Sequence, residues 1–366
     1  MTPYSGSGRS ALLAKPFRAA RRNSGGITLR EVARLAGVSV ITASRALNTP
    51  DKVSPAAQKL VRDAVERTGY VPNLLAGGLA SNRSRLVAVV VPTIAGSVFL
   101  ETIQALTDEL AREGFQVMLG QSGYADEKGV SREDELLEAI VGRRPDGIVL
   151  TGILHSAQGR RRLVASGIPV VETWDLTSTP LDMLVGFSHQ AVGIAVADYL
   201  YAKGFRRLAI VTADDQRAGQ RHASFAGRVA ELGLPVPCAQ VMRAPSTLGN
   251  GRVALTALLH GAAPPDAIFC SSDVLAQGVL IEAAARGLMV GLGSGKGKHR
   301  LGLIGFGDLA FAADLHPALT TVRIDGTAIG YRAARLIVER LRLSQAAPQA
   351  QQVHDLGFTI VERASA

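Results

Sequence analysis

The chain has 366 residues, is 47% hydrophobic and carries a net charge of +9, a length that exceeds one ordinary core and predicts more than one domain. Two cysteines, Cys238 and Cys270, offer neither a disulfide framework nor a metal spacing, which points to a reducing cytoplasm, and no apolar run is long enough to span a membrane. The charge is uneven: residues 1–85 hold 14 Lys/Arg against 4 Asp/Glu while residues 86–366 hold 26 against 27, so a basic N-terminal region that suits a phosphate backbone precedes a neutral body.

Residues 1–26 are rich in Ser, Gly and Arg and lack the apolar core of a signal peptide. They read as a flexible basic extension whose Arg18, Arg21 and Arg22 could touch DNA as an arm. Residues 28–48 (TLREVARLAGVSVITASRALN) predict two short helices joined by a tight turn. Thr28 and Glu31 have capping-box spacing, and Leu29, Val32, Ala33 and Ala36 share one helical face. Gly37 can close the first helix in the left-handed conformation, and Ser39 can cap the second. Ala43 and Leu47 point inward on that second helix, leaving Val40, Ile41, Ser44 and Arg45 outward. Two helices across such a turn form the helix-turn-helix that offers its second helix to the major groove; an ordinary helical hairpin is the plain alternative. Ser54-Pro55 then starts a third helix, with Leu60, Val61, Ala64 and Val65 on one side and Gly69 at its end. YVPN (70–73) follows, and residues 74–85 (LLAGGLASNRSR) form a connector.

From Leu86 the pattern alternates short apolar strands with amphipathic helices. Strands are predicted at 86–91, FQVML, 146–151 and 167–172, with helices near 97–112 and 127–142. A second series runs through MLVGF, helix 190–203, strand 208–212, helix 217–232, strand 238–242, helix 249–260, strand 267–272 and helix 273–286. Strands 301–306 and 319–322 complete it. This pattern predicts parallel sheets with helices on both faces, and some 280 residues of it suit two doubly wound lobes. Ligands in such folds bind beyond the carboxyl ends of the strands.

The sequence T-L-x-E-V-A-x-x-A-G-V-S-x-x-T-x-S-R-x-L-N, followed by V-S-P and G-Y-V-P-N, resembles the headpiece of the LacI/GalR family of bacterial transcription regulators, and the resemblance extends over roughly residues 27–366. It implies an all-α helix-turn-helix headpiece (27–73), a hinge helix or linker (74–85) and an α/β two-lobed periplasmic-binding-protein-like core of type I (86–366). The chain would cross between the lobes more than once and bind a small effector between them. The partners implied are double-stranded operator DNA, a sugar-acid effector and a second copy of the chain. PVVETWDLTSTPLDMLVGFSH (169–189) and DLGFTIVER (355–363) are most similar to the gluconate-utilisation repressors, which makes gluconate the expected effector.

The DNA-contacting candidates that follow are Thr28, Leu29, Ser39, Val40, Ile41, Thr42, Ser44, Arg45, Asn48, Asn73 and Leu79. Val40 and Ile41 fall at the family's main specificity positions, with packing against the third helix as their alternative. Arg45 suits a guanine edge or a phosphate, and Thr42, Ser44 and Asn48 suit phosphates. Leu79 falls where the family's hinge leucine wedges into the minor groove. Gly77-Gly78 weakens that helix by roughly 1 kcal/mol each, so a plain flexible linker competes. For the effector, Arg221 matches the family's sugar-binding arginine, and its fork suits a carboxylate. Ser272 stands where the family commonly has asparagine, and Asp308 falls near its sugar-binding aspartate. Glu172, Trp174 and Asp175 follow a strand and could line the cleft, although the lone tryptophan could equally serve a dimer or the core. Ser97, Tyr124 and Thr151 are strand-end candidates. His189 and His222 are read as structural or solvent-facing.

No cofactor or metal is expected. GLGSGKGKH (291–299) is not a phosphate-binding loop, because no register gives G-x-x-x-x-G-K-[ST] before a helix; it reads as a surface insertion. Without a phosphate loop, nucleophile elbow or metal cluster, an enzyme is not expected. The alternatives are a regulator of the same family answering another sugar or a nucleoside, and a two-lobed sugar-binding transport protein, which would need an export signal and no basic helix-turn-helix. The chain ends shortly after its last core strand without a leucine heptad, so no tail-mediated tetramer is expected.

Overall fold

A computed structural model describes residues 27–71, 83–94, 96–124, 132–153, 155–261, 263–291, 300–343 and 350–366. Asn73, Leu79, the 1–26 extension, most of the connector and residues 292–299 lie outside these. The chain divides into two compact units at Ser81/Asn82.

The first unit contains α1 (Leu29–Ala36), α2 (Val40–Asn48) and α3 (Pro55–Thr68). The capping box forms: Thr28 N–H donates to Glu31 Oε2 at 2.7 Å, and Glu31 N–H donates to Thr28 Oγ1 at 3.4 Å. Gly37 ends α1 at φ 65°, a left-handed turn that a β-carbon would disfavour. Ser39 Oγ accepts from Thr42 N at 3.0 Å to start α2, and Ser54 with Pro55 starts α3. Val32, Ala33, Ala36, Ala43, Val61 and Ala64 make the core, with Leu29, Leu47 and Tyr70 packed at its edge. Small residues there let three short helices approach closely. Leu60, expected inward, is 50% exposed, because its neighbour Val61 takes the inward position on α3.

The second unit holds two parallel sheets. The N-terminal lobe has β1 (Leu86–Val91), β2 (Gln116–Gln121), β3 (Gly147–Thr151), β4 (Val170–Thr173), β5 (Met183–Gly186) and β12 (Gln352–Asp355) in the order β12-β5-β4-β3-β1-β2. Its helices are α4 (Leu100–Arg112), α5 (Glu133–Val141), α6 (Ala157–Ser166) and α11 (Gly326–Arg342). The C-terminal lobe has β6 (Leu208–Ala213), β7 (Cys238–Met242), β8 (Ala267–Cys270), β10 (Arg300–Phe306), β11 (Thr320–Arg323) and β13 (Thr359–Val361) in the order β13-β11-β10-β8-β6-β7, with β9 (Met289–Val290) beside β10. Its helices are α7 (His189–Ala202), α8 (Gln216–Glu231), α9 (Leu248–Leu259) and α10 (Asp273–Ala285). Only β13 among the described strands runs antiparallel, against β11. The apolar strands β1, β3, β6 and β8 are buried on both faces, as parallel sheets flanked by helices require.

The chain passes between lobes at 187–189, near 323–326 and at 356–358. Helix α11 returns to pack on α4, and β12 then adds to the edge of the first sheet. In the C-terminal lobe α9 and α10 cross at Gly251 and Gly278, whose α-carbons approach so closely that a β-carbon on either would overlap the other helix's backbone. Helix α6, helix α11, β12 and the pairing of β13 are additions to the elements read from sequence. Helix α6 (AQGRRRLVAS) buries only Gly159 and Leu163, too narrow an apolar stripe to stand out.

Candidate functional site

Beyond the carboxyl ends of both sheets lies a cavity of about 270 Å³. Its N-terminal-lobe wall is Thr93, Gly96 to Phe99, Tyr124 and Trp174; its C-terminal-lobe wall includes Asp215, Arg217, Arg221, Pro245 to Thr247, Ser271, Ser272, Val274, Phe306 and Leu309. His189, at the first crossing, completes it. Phe99, Trp174 and Phe306 give apolar faces, and the serine and threonine hydroxyls give hydrogen-bonding groups.

Arg221, on α8, is 5% exposed. Its Nη1 donates to His189 Nδ1 at 2.9 Å, its Nη2 donates to the Ser271 carbonyl at 3.1 Å, and the guanidinium lies 4.0 Å from the Phe306 ring centroid. Its Nε is buried with no partner. Burial lowers its pKa to about 10, opposed by Asp215, so the guanidinium stays charged at neutral pH. One helical turn earlier, Arg217 sits 5.3 Å from the Phe99 ring, and its Nη1 is also buried without a partner. Arg217 and Arg221 therefore both line one cavity, and each keeps one buried donor that no protein group satisfies. Such donors cost free energy until an acceptor reaches them.

Acidic groups stand nearby. Asp215 caps α8 through Ala218 N at 3.0 Å. Asp175 is 2% exposed; its Oδ1 accepts from Leu176 N at 2.9 Å, and its Oδ2 is buried without a partner. Burial raises the Asp175 pKa to about 6 against the pull of the Leu176 N–H, Arg217 and Arg221. Tyr124 is pushed up by burial and by Asp215. Asp175 lies behind the cavity wall rather than in it, so the set can bind an anion at the arginines and accept a hydrogen bond from a hydroxyl at Asp215.

In the first unit, α2 shows a second face. Val40 is 43% and Ile41 65% exposed, so both keep a large apolar area open to solvent. Arg45 is exposed beside them, and Asn48 Nδ2 donates back to the Ser44 carbonyl at 3.0 Å. Ser39 and Thr42 hydroxyls lie 2.8 Å apart at the start of α2. An exposed apolar pair next to an arginine at a helix N-terminal half has the shape of a groove-reading surface.

Residues 28–73 match the model of bacterial regulatory proteins, lacI family, and residues 197–366 match that of the periplasmic binding protein-like domain. The HTH-type transcriptional regulator GntR of Pseudomonas aeruginosa is 36% identical over 346 residues, covering 94% of this chain and 97% of that protein. The chain belongs to the LacI family. A LacI-family regulator from Silicibacter pomeroyi has a crystal structure that superposes with a TM-score of 0.83 at 31% identity, covering 93% of this chain and 99% of that one. The lac repressor dimer bound to operator and the anti-inducer ONPF shares the fold at a TM-score of 0.76 and 20% identity, over 93% and 99% of the two chains. This LacI-family member is thus a DNA-binding transcriptional regulator, not an enzyme.

Of the effector candidates read from the LacI-family resemblance, Ser97, Tyr124, Trp174, Arg221 and Ser272 line the cavity. The Ser272 hydroxyl also caps α10 through Leu275 N at 3.3 Å. Thr151, Glu172 and Asp308 do not line it. Thr151 ends β3 half-buried, and Arg217 Nη1, 3.8 Å from where a Gly152 β-carbon would stand, takes the adjoining corner. Glu172 is fully buried behind the strand: it accepts from Leu181 N at 2.6 Å and pairs with His155 at 3.4 Å. Asp308 is held in ion pairs with Arg323 at 2.5 Å and Arg363 at 2.7 Å. His189, read as structural, is a cavity residue bonded to Arg221. Arg217 was missed, although its spacing of four from Arg221 puts both on one face of α8.

Proposed function

We propose that this chain is a repressor that dimerises on operator DNA in the cytoplasm and is released by a sugar acid, with gluconate as the effector. The observation that carries this reading is the pair of arginines, Arg217 and Arg221, in the wall of one cavity, each with a buried guanidinium nitrogen that no protein group satisfies. A carboxylate offers these two cations a charged acceptor that a neutral sugar lacks. The aromatic faces of Phe99, Trp174 and Phe306 suit the carbon chain of a polyol, and Asp215 suits its hydroxyls. The identity to P. aeruginosa GntR supports the same branch of the family. The lac repressor, solved as a dimer on operator, is the precedent for pairing two headpieces on half-sites. At the DNA, Val40 and Ile41 contact thymine methyls, Arg45 takes a guanine edge, and Thr28, Leu29, Ser39, Thr42, Ser44, Asn48 and Asn73 position α2 on the backbone. Leu79 wedges into the minor groove.

The experiment is an electrophoretic shift on the DNA upstream of the protein's own gene, with and without gluconate. Binding at low salt and release by gluconate are expected. No shift at low salt would overturn the choice of operator. A shift relieved by a neutral sugar and indifferent to gluconate would overturn the sugar-acid reading. A shift that gluconate strengthens would overturn the repressor-release reading.

A further inference from the structure

Arg221 is aimed by a side chain that belongs to neither wall of the cavity alone. His189 is the first residue of α7, at the first crossing between lobes, and is 2% exposed. Its Nδ1 lies 2.9 Å from Arg221 Nη1, and its Nε2 lies 3.0 Å from the Trp174 carbonyl. A guanidinium can only donate, so Nδ1 must accept and the ring proton must sit on Nε2, where it donates to Trp174. The ring is wedged edge-on against Phe187 at 4.6 Å, which fixes its plane. The chain of bonds continues. The Trp174 indole N–H donates to Thr102 Oγ1 at 3.0 Å, and the Thr102 hydroxyl donates to the Gly326 carbonyl at 2.9 Å. Gly326 opens α11 at the second crossing. Every donor in this run has one acceptor, and the run joins Arg221 to two of the three crossings. Trp174 adopts φ 66°, a left-handed conformation that tryptophan rarely takes.

We propose that His189, as the neutral Nε2–H tautomer, is the positioning residue that holds Arg221 for the effector and ties effector occupancy to the crossings between the lobes. This deepens the sugar-acid reading and rests on it. Shifting Arg221 onto a carboxylate changes its bond to Nδ1; the ring, the Trp174 carbonyl and the Thr102–Gly326 bond adjust in turn. A protonated ring would oppose Arg221 with an N–H, breaking the run at its first bond. The charged groups around the imidazole oppose that proton: Arg221 and Arg217 lie on α8, and only the bond to the Trp174 carbonyl favours it. Burial, Arg221 and Arg217 together hold the His189 pKa well below its ordinary value.

The test compares His189→Phe, which keeps the ring packing and removes both bonds, with His189→Gln, which restores one acceptor and one donor. Gluconate affinity is read by titrating the fluorescence of Trp174, the one tryptophan in the chain. His189→Phe is expected to weaken gluconate binding about tenfold or more, the worth of a charge-assisted bond, and His189→Gln to recover most of that loss. Nitrogen-15 NMR of the wild-type imidazole is the second measurement. It should show Nε2 protonated, no titration between pH 6 and pH 8 and an Nδ1 shift when gluconate is added. Wild-type-like gluconate affinity in His189→Phe would overturn the inference, as would a ring protonated on Nδ1 or titrating near 6.5. Should the wild type fail to bind gluconate, the effector assignment falls, and the tautomer and titration of the unliganded chain still decide the state of His189.

Discussion

Replacing Arg217 by methionine separates what this side chain does for the ligand from what it does for the fold. Its Nη1 is buried with no protein partner, and the side chain lies across Phe99 at 5.3 Å. Methionine keeps the apolar stem over that ring and removes the unsatisfied donor. In the unliganded protein the change removes a desolvated, unpaired group, so stability should hold or rise. With gluconate, one charge-assisted bond disappears, worth about 1.5–3 kcal/mol, or roughly 10- to 150-fold in affinity. Thermal unfolding reads both at once. A ligand at 100 times its Kd adds about 2.7 kcal/mol, a rise of several degrees for a unit of this size. The variant should start at or above the wild-type midpoint and gain about half the wild-type increment or less from the same gluconate concentration. A fall in the unliganded midpoint by more than about 4 °C, equivalent to roughly 2–3 kcal/mol for a unit of this size, would show that Arg217 is a structural residue. Gluconate affinity within twofold of wild type would show that the donor faces no ligand.

Three further outcomes are expected. Gly278→Ala should lower the unfolding midpoint by roughly 4 °C or more, because its β-carbon would stand 2.2 Å from the Leu248 carbonyl oxygen and two backbones must separate; an unchanged midpoint would mean that α9 and α10 do not cross there. His155 is buried, which lowers its pKa, but Glu133 and Glu172 raise it to about 9. Its contribution to stability is therefore complete below about pH 6.5 and lost as pH rises through about 9, and His155→Gln should remove that decline from the pH profile of thermal unfolding. Arg45→Ala should weaken operator binding by about 1–3 kcal/mol and leave gluconate affinity intact. A loss confined to one operator base pair identifies a guanine contact, and a uniform loss with a shallower salt dependence identifies a phosphate contact.

Local rules carried much of the fold in the sequence. Thr28 with Glu31, Gly37, Ser39 and Ser54-Pro55 mark the headpiece helices through backbone groups within a few residues, and each cap forms where those residue types place it. The strands LVAVVV and AIFC were legible because a strand buried on both faces must be apolar throughout. The edge strand β12 (QVHD) was not, since alternate residues face solvent and its partner β5 is far away in sequence. Helix α11 carries a readable stripe in Ile329, Ala333, Leu336 and Ile337, at helical spacing. The cavity divides in the same way. Strand-end placement found Ser97, Tyr124 and Trp174, and spacing along α8 made Arg217 available from Arg221. Glu172 and Asp308 were misplaced because a carboxylate near a strand end carries no mark of the cation that holds it; His155 and Arg363 come from elsewhere in the chain. The bonds of His189 are hidden from local sequence for the same reason, since its partners lie 15 and 32 residues away.

The repeated passage between lobes makes each half of the core a composite of distant stretches of gene. A stop codon after Arg323 would strip α11 and β12 from one sheet system and β13 from the other. Neither half could then be produced as a shorter product, or exchanged with a relative, by a single cut. Domain grafting in this protein has one natural seam, at Ser81/Asn82, and new operator specificity can be joined to an existing effector response only there.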